Sequence, residues 1–279
     1  MSFSLELKNI SFRYTGPGGS ERLILDDVSL RVGENESIAL VGPSGSGKTT
    51  LIQHFTGLLR PVSGQILYNE KNIWDRKFSF SKLREKIGIV FQFPESQLFE
   101  ETVFKDVAFG PKNLGYSTDE IETRVHEALL AVELKPQKFG ERSPFRLSEG
   151  EKRRAAIAGV LAMNPDLVVF DEPTAGLDPR GVRRMADIAK RLLDAGKSVF
   201  VITHNMDFVA QATNRVVVLD KGKILFNGAT RDLFSNEAIL SQAGLELPVL
   251  DAVVREMRDI PPDVLKSMTN INELLRHFQ

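Results

Sequence analysis

Gly42-Pro43-Ser44-Gly45-Ser46-Gly47-Lys48-Thr49 is the stretch from which the rest of the chain can be read. It fits G-x-x-x-x-G-K-[ST], the pattern of a loop that cradles phosphates. The short run before it, Ser37-Ile38-Ala39-Leu40-Val41, is almost wholly apolar and suits a strand covered on both faces. A helix is expected from about Lys48. Glycines let backbone N–H groups converge on phosphate oxygens, and the helix that follows presents its positive end to them. In that setting Lys48 pairs with the β- and γ-phosphates of a nucleotide and Thr49 is a ligand for Mg²⁺.

Three more strand ends carry polar residues that match this chemistry. Leu167-Val168-Val169-Phe170 runs into Asp171-Glu172. A carboxylate at such a position can hold hydrated Mg²⁺, which suits Asp171, and Glu172 is then placed to polarise an attacking water. His204 follows the apolar run Val199–Thr203, and Gln92 follows Ile87–Phe91. Ligands collect at the carboxyl ends of strands in an α/β sheet, which favours a role for His204. The Gln92 amide either touches the metal or water, or faces solvent.

Around these runs the chain alternates between strand and helix patterns. Residues 3–14 and 23–31 alternate apolar and polar positions on either side of Gly16–Ser20 and predict a small antiparallel sheet. Residues 65–92 mix strands with a short helix near Ser81–Lys86, and 100–165 read as mainly helical, including Asp119–Leu134. Val182–Ala195 predicts an amphipathic helix, Val216–Leu219 a strand, and Asp220–Lys223 a hairpin turn. The alternation argues for a mostly parallel α/β core. From about residue 240, Val249, Leu250, Val253, Val254 and Met257 would share a helix face. Pro261-Pro262 then interrupts, and Leu274, Leu275 and Phe278 make a last apolar stripe. That tail either packs on the core or makes an oligomer contact.

Bulk composition excludes several classes. Lys+Arg number 36 against Asp+Glu 37, a net charge of -1, so there is no bulk attraction to nucleic acid or an anionic membrane. The chain has no cysteine, which rules out disulfides and thiolate metal sites. Met1–Glu6 lacks the basic start and apolar run of a signal peptide. No stretch reaches the roughly 18 to 20 apolar residues that cross a bilayer, so any membrane role would run through a partner.

The order of motifs resembles an ABC-type ATPase over roughly residues 3–235. The series is the phosphate loop at 42–49, Gln92, Leu147-Ser148-Glu149-Gly150-Glu151, Asp171-Glu172, Ala175-Gly176-Leu177-Asp178 and His204. The resemblance implies an α/β fold, that of a P-loop NTPase with a mostly parallel core sheet and an N-terminal antiparallel β-subdomain. It also implies an inserted helical subdomain at about 95–165 and a C-terminal helical extension at 241–279, beyond an ABC ATPase domain of 1–240. Such ATPases bind two ATP between head-to-tail subunits, each site combining one phosphate loop with the partner's signature. Carried over by position, nucleotide contacts fall to Tyr14, Gly42, Pro43, Ser44, Gly45, Ser46, Gly47, Lys48, Thr49 and Thr50, with Ser148, Gly150 and Asp178 serving across the interface. Tyr14 matches the aromatic that stacks on adenine. Mg²⁺ falls to Thr49, Gln92 and Asp171, and the catalytic roles to Glu172, His204, Lys48 and Gln92.

Phe91-Gln-Phe-Pro-Glu-Ser-Gln-Leu-Phe-Glu-Glu-Thr-Val103 and Asp106–Gly115 narrow the likeness to the ATPase subunits of energy-coupling factor transporters. These power import of vitamins or of cobalt and nickel ions. The partners so implied are a second, homologous ATPase subunit, a transmembrane coupling subunit and a substrate-binding membrane subunit, with this chain peripheral on the cytoplasmic face of the cell membrane. Phe93, Leu98, Phe99 and Phe104 would line a groove for the membrane subunit, or else form helical-subdomain core. The rival reading is a soluble ABC ATPase; the chain lacks the cysteines or coiled coils of repair types and the second ATPase half of translation types.

One motif departs from the family pattern, whose signature is LSGGQ. Here Glu149 replaces the first Gly of that motif and Glu151 its Gln, while Ser148 and Gly150 are kept. Ser148-x-x-Glu151 predicts a capping box opening a helix. Acids at that N-terminus should oppose a phosphate, or, if turned to water, change nothing. An asymmetric pair with a non-identical partner is therefore expected.

Overall fold

The computed structural model describes residues 3–16, 19–249 and 251–252. Two sheets organise it. The first is antiparallel, in the order β2-β1-β4-β5, from β1 (Leu5–Thr15), β2 (Glu21–Val32), β4 (Ser63–Tyr68) and the short β5 (Lys71–Asn72). The second has six strands in the order β10-β9-β3-β8-β7-β6. Its members are β3 (Ser37–Val41), β6 (Ile87–Val90), β7 (Leu167–Asp171), β8 (Ser198–Ile202), β9 (Arg215–Asp220) and β10 (Lys223–Ala229). Five of these run parallel and β10 closes the edge antiparallel.

The parallel strands are apolar throughout because both of their faces are buried. In β3, Ile38 and Leu40 face the core between the two sheets, whereas Ala39 and Val41 face α8 (Met206–Ala212), α9 (Thr230–Phe234) and α10 (Glu237–Ala243). In β7, Leu167 and Val169 share the inter-sheet core, and Val168 and Phe170 face the helical part. In β8, Phe200 and Ile202 turn one way, and Val199 and Val201 the other. The period of two along each strand thus divides the interior into three cores. The helix that leaves the phosphate loop, α1 (Lys48–Phe55), buries Leu51, Ile52 and Phe55 in the inter-sheet core, with the Phe55 ring edge-on to Phe200 at 5.0 Å. Each such side chain contributes roughly 1.5–3 kcal/mol by leaving water.

A short helix α2 (Phe80–Lys86) precedes β6, and the helical part lies between β6 and β7 in sequence. It comprises α3 (Val103–Asn113), α4 (Thr118–Ala131), α5 (Pro136–Phe139) and α6 (Glu149–Leu161). The expected helix over 119–134 stops at Ala131. Glu133 takes a left-handed φ of 61°, and its N–H bonds the Leu130 carbonyl while Leu134 N–H bonds the Leu129 carbonyl. That pair of bonds satisfies the last carbonyls and turns buried Leu134 back into the core. The helix after β7, α7 (Pro179–Asp194), starts earlier than the amphipathic pattern suggests, because Asp178 caps it and Pro179 occupies its first turn.

Leu245 and Leu247 pack against the third core, and Val249 N–H bonds the Asp207 carboxylate at 2.8 Å. The expected extension's apolar faces at Leu250, Val253, Val254 and Met257, and at Leu274, Leu275 and Phe278, lie outside the described residues. Among the described residues, no helix is long and apolar enough to cross a membrane.

Candidate active site

Strand order puts the sequence-separated motifs side by side. From β9 the sheet runs β3, β8, β7, β6. At its carboxyl edge the order is therefore phosphate loop, Thr203-His204, Asp171-Glu172 and Gln92. This edge is where ligands bind in open α/β sheets.

The phosphate loop depends on glycine in two places. Gly42 has φ 142°, and a Cβ there would sit 2.0 Å from the Leu219 carbonyl oxygen of β9. Gly47, at φ 108°, precedes α1 and packs against the Ile24 carbonyl of β2. The hairpin between β9 and β10 braces the loop from the far side: Gly222 N–H bonds the Ser46 carbonyl at 3.1 Å, and Asp26 N–H bonds the Gly222 carbonyl at 2.9 Å. Lys48 Nζ donates to the Gly42 and Pro43 carbonyls at 2.7 and 2.8 Å, so its ammonium is held against the loop. Burial pulls it below the ordinary lysine value, against the opposing pull of Glu172 and Asp171. Ser44, Gly45 and Thr49 face solvent, whereas Ser46 and Thr50 are buried.

Asp171 ends β7. Burial, then the Glu172 charge, push its carboxyl above the usual range, and Lys48 works against them. Glu172 takes a left-handed φ of 48°, a conformation costing on the order of 1–3 kcal/mol. It is held there by Glu172 N–H to the Ile202 carbonyl at 2.9 Å and Ala175 N–H to the Glu172 carbonyl at 3.1 Å. Its side chain reaches β8's end: Thr203 Oγ1 donates to Oε2 at 3.2 Å, and His204 Nδ1 lies 2.9 Å from Oε1. A carboxylate only accepts, so Nδ1 carries the proton and Nε2 is left for another group. The sequence places Glu172 and His204 in separate motifs; the sheet makes them one hydrogen-bonded pair.

Tyr14, the next-to-last residue of β1, has its ring edge-on to Phe12 and its hydroxyl 3.4 Å from Gln53 Oε1 of α1. That half-exposed ring stands beside the helix that leaves the phosphate loop. Gln92 is exposed. Asp178 Oδ1 accepts from Gly181 N–H at 2.6 Å and caps α7.

The signature opens α6. The capping box is present: Glu151 N–H donates to Ser148 Oγ, and Glu151 Oε2 accepts from Ser148 N–H at 2.9 Å and from its hydroxyl at 2.8 Å. The Ser148 N–H and then its hydroxyl hold the Glu151 carboxyl below its ordinary value. Glu149 pairs with Lys152 at 2.8 Å, in solvent.

The aromatic segment after Gln92 divides. Phe91, Phe93, Phe99 and Phe109 are exposed, with Phe99 and Phe109 in edge contact at 5.0 Å, whereas Leu98 and Phe104 pack on the helical core. The core reading therefore fits Leu98 and Phe104, whereas Phe93 and Phe99 lie at the surface.

Arg153 and Glu95 went unassigned in the sequence. The Arg153 guanidinium is buried and bonds both Glu95 carboxylate oxygens at 3.1 and 3.0 Å. A signal existed: Arg153 lies four residues before Ile157, on a stripe otherwise filled by core residues.

A model of the ABC transporter family matches residues 25–175. The energy-coupling factor transporter ATP-binding protein EcfA2 of Caldanaerobacter subterraneus subsp. tengcongensis is 41% identical over 280 residues, covering 99% of this chain and 98% of that protein. EcfA2 of Symbiobacterium thermophilum is 46% identical over 245 residues, 86% of this chain and 85% of its own. Among solved structures, cbiO1 from Clostridium perfringens, described as part of the ABC transporter complex cbiONQ, aligns with a TM-score of 0.77 at 35% identity, over 91% of this chain and 100% of that one. An ATP-bound bacterial Atm1-family ABC exporter aligns at 0.70 and 25% identity, over 93% of this chain and 43% of that one. With relatives this similar along nearly its whole length, the chain belongs to the ATP-binding proteins of energy-coupling factor transporters, ATPases of the ABC family.

Proposed function

We propose that this chain hydrolyses Mg²⁺-ATP to drive an energy-coupling factor type importer of vitamins or transition-metal ions. The observation that carries the reading is the Glu172 carboxylate, held between Thr203 and His204 at the strand end next to Asp171 and within the field of Lys48. An acceptor fixed in this way can polarise a water for in-line attack on the γ-phosphate. Lys48 exchanges its two carbonyl acceptors for phosphate oxygens when nucleotide enters. His204, its Nδ1–H committed to Glu172, serves the γ-phosphate through Nε2.

Thr49, Asp171 and Gln92 offer hydroxyl, carboxylate and amide oxygen, the hard donors that suit Mg²⁺, and Asp171's burial beside Glu172 favours a cation there. A Mg²⁺ ion held by these residues would supply neutralisation of phosphate charge. Tyr14 stacks on adenine.

The working unit is a head-to-tail dimer with a homologous, non-identical subunit. Ser148, Gly150 and Asp178 face the partner's nucleotide. Glu151 accepts a hydrogen bond from the Ser148 hydroxyl and adds negative charge at that helix end, so the site using this signature is the weaker one. Exposed Phe93 and Phe99 dock the transmembrane coupling subunit, which keeps the chain peripheral on the cytoplasmic face of the membrane beside a substrate-binding membrane subunit. Residues 1–240, with 95–165 inserted, act as the ATPase domain, and 241–279 as a dimer contact. The near-zero net charge supports a role without nucleic acid.

Affinity purification of the chain from detergent-solubilised native membranes tests this, with mass spectrometry of what accompanies it. A second ATP-binding subunit and hydrophobic membrane proteins are expected. Recovery with soluble proteins alone would favour a soluble ABC ATPase.

A further inference from the structure

One guanidinium joins three pieces of the molecule that carry separate duties. Arg153 lies on α6, two residues past the signature, and is 7% exposed. Its Nε and Nη2 meet the two carboxylate oxygens of Glu95, in the 3₁₀ turn Pro94–Gln97, at 3.1 and 3.0 Å. Its Nη1 donates to the Ala175 carbonyl at 2.8 Å and to the Pro173 carbonyl at 3.4 Å. The Phe93 ring centroid is 5.9 Å from its central carbon. The contacts therefore tie the exposed aromatic segment, the signature helix, and the loop running from Glu172 to Asp178.

The chemistry suits transmission of movement better than simple stabilisation. A planar guanidinium fork meets a carboxylate at two points and fixes orientation, which an ammonium does not. Buried ion pairs add little net stability over apolar packing, and their best-attested use is to set register or a switch. Both side chains are shielded, at 8% and 14% exposure, so water competes little for the pair. Glu95 is pushed up by burial, but its bonds and charge interaction with Arg153 hold it below the ordinary carboxylate value. The Pro173 and Ala175 carbonyls belong to the turn that begins at strained Glu172, so a shift of Glu95 is passed to the backbone next to the water-polarising carboxylate.

We propose that the Arg153–Glu95 pair is the rigid link through which movement of the Phe93–Phe99 segment is passed to the signature helix and to the loop after Glu172. Arg153 is a positioning residue in this role. The proposal deepens the importer reading, resting on it for the identity of what moves the segment, while the link itself is a property of this chain.

Two variants test it: Glu95→Gln keeps shape and loses charge, and Arg153→Lys keeps charge and loses the fork. In the ATPase dimer without membrane subunits, hydrogen exchange is followed with and without ATP. In the native chain, protection at 173–178 and at 93–98 rises together. In either variant, protection at 173–178 persists and that at 93–98 drops about tenfold. Equal protection of both segments in the variants, or no joint change in the native chain, overturns the link. In the reconstituted membrane complex, substrate moved per ATP falls about tenfold while ATP turnover stays within about twofold. Parallel loss of both activities, or an unchanged ratio, marks a merely structural pair and also overturns it. If the native chain assembles with no membrane subunit, the importer reading fails and the exchange experiment still decides the link.

Discussion

Replacing Glu172 by Gln separates the chemistry of the site from its architecture. The two side chains are the same size, and Glu172 lies where its oxygens accept from Thr203 at 3.2 Å and from His204 at 2.9 Å. The amide oxygen of Gln keeps one of these acceptors, while its NH₂ confronts the other donor. Exchanging a charge-assisted bond for a neutral one, with one partner misplaced, costs about 1 kcal/mol. In a chain of this size that lowers Tm by roughly 2–4 °C. Loss of the general base is larger: such groups contribute about 10²–10⁴-fold, or roughly 3–5 kcal/mol of transition-state stabilisation. Lys48, the phosphate loop and Asp171 are untouched, so ATP affinity should hold and the ATP-bound closed dimer should accumulate. Phosphate release measures the first effect, thermal melting the second, and size-exclusion chromatography with ATP the third. Hydrolysis within about twofold of native would refute the reasoning, because no positioned base would then be in use.

Other perturbations give distinct readouts. Gly42→Ala drives a Cβ to 2.0 Å from the Leu219 carbonyl, whereas Gly45→Ala meets nothing within 4 Å. The first should abolish ATP binding or folding, and the second should cost only the roughly 1–2 kcal/mol of a left-handed alanine; equal behaviour in binding and melting assays would contradict the close approach. Reverting Glu149→Gly and Glu151→Gln together should tighten nucleotide at the weaker site by about 1 kcal/mol, about fivefold, and raise turnover of the assembled complex. Unchanged turnover and occupancy would sink the asymmetric reading. Glu95 has its folded pKa depressed, so the stability it contributes is present above the unfolded carboxylate value and is lost as pH falls through the folded one. Denaturant titrations of native and Glu95→Gln proteins should therefore converge as the solution is acidified, and a gap independent of pH would exclude that origin.

The amino-acid sequence by itself determined the class of the core and the chemistry of most of the site. Apolar runs such as Ile38–Val41 and Leu167–Phe170 imply strands buried on both faces, and the glycine spacing around Lys48 implies a phosphate loop, because both signals are local and short-range. Ser148 and Glu151 announced their capping box for the same reason: the partners are three residues apart. What lay beyond the sequence was every relation between distant segments. Glu172 and His204 are 32 positions apart, and Arg153 and Glu95 are 58 apart. The end of the helix near Ala131 hinged on backbone bonds and a left-handed Glu133 that periodicity does not register. Likewise, only packing divided the aromatic segment into exposed Phe93 and Phe99 and partly buried Leu98 and Phe104. Local pattern specifies which residues can form a strand, loop or cap; only the sheet order and the three cores bring separate strand ends within hydrogen-bonding distance and decide which side chains act together.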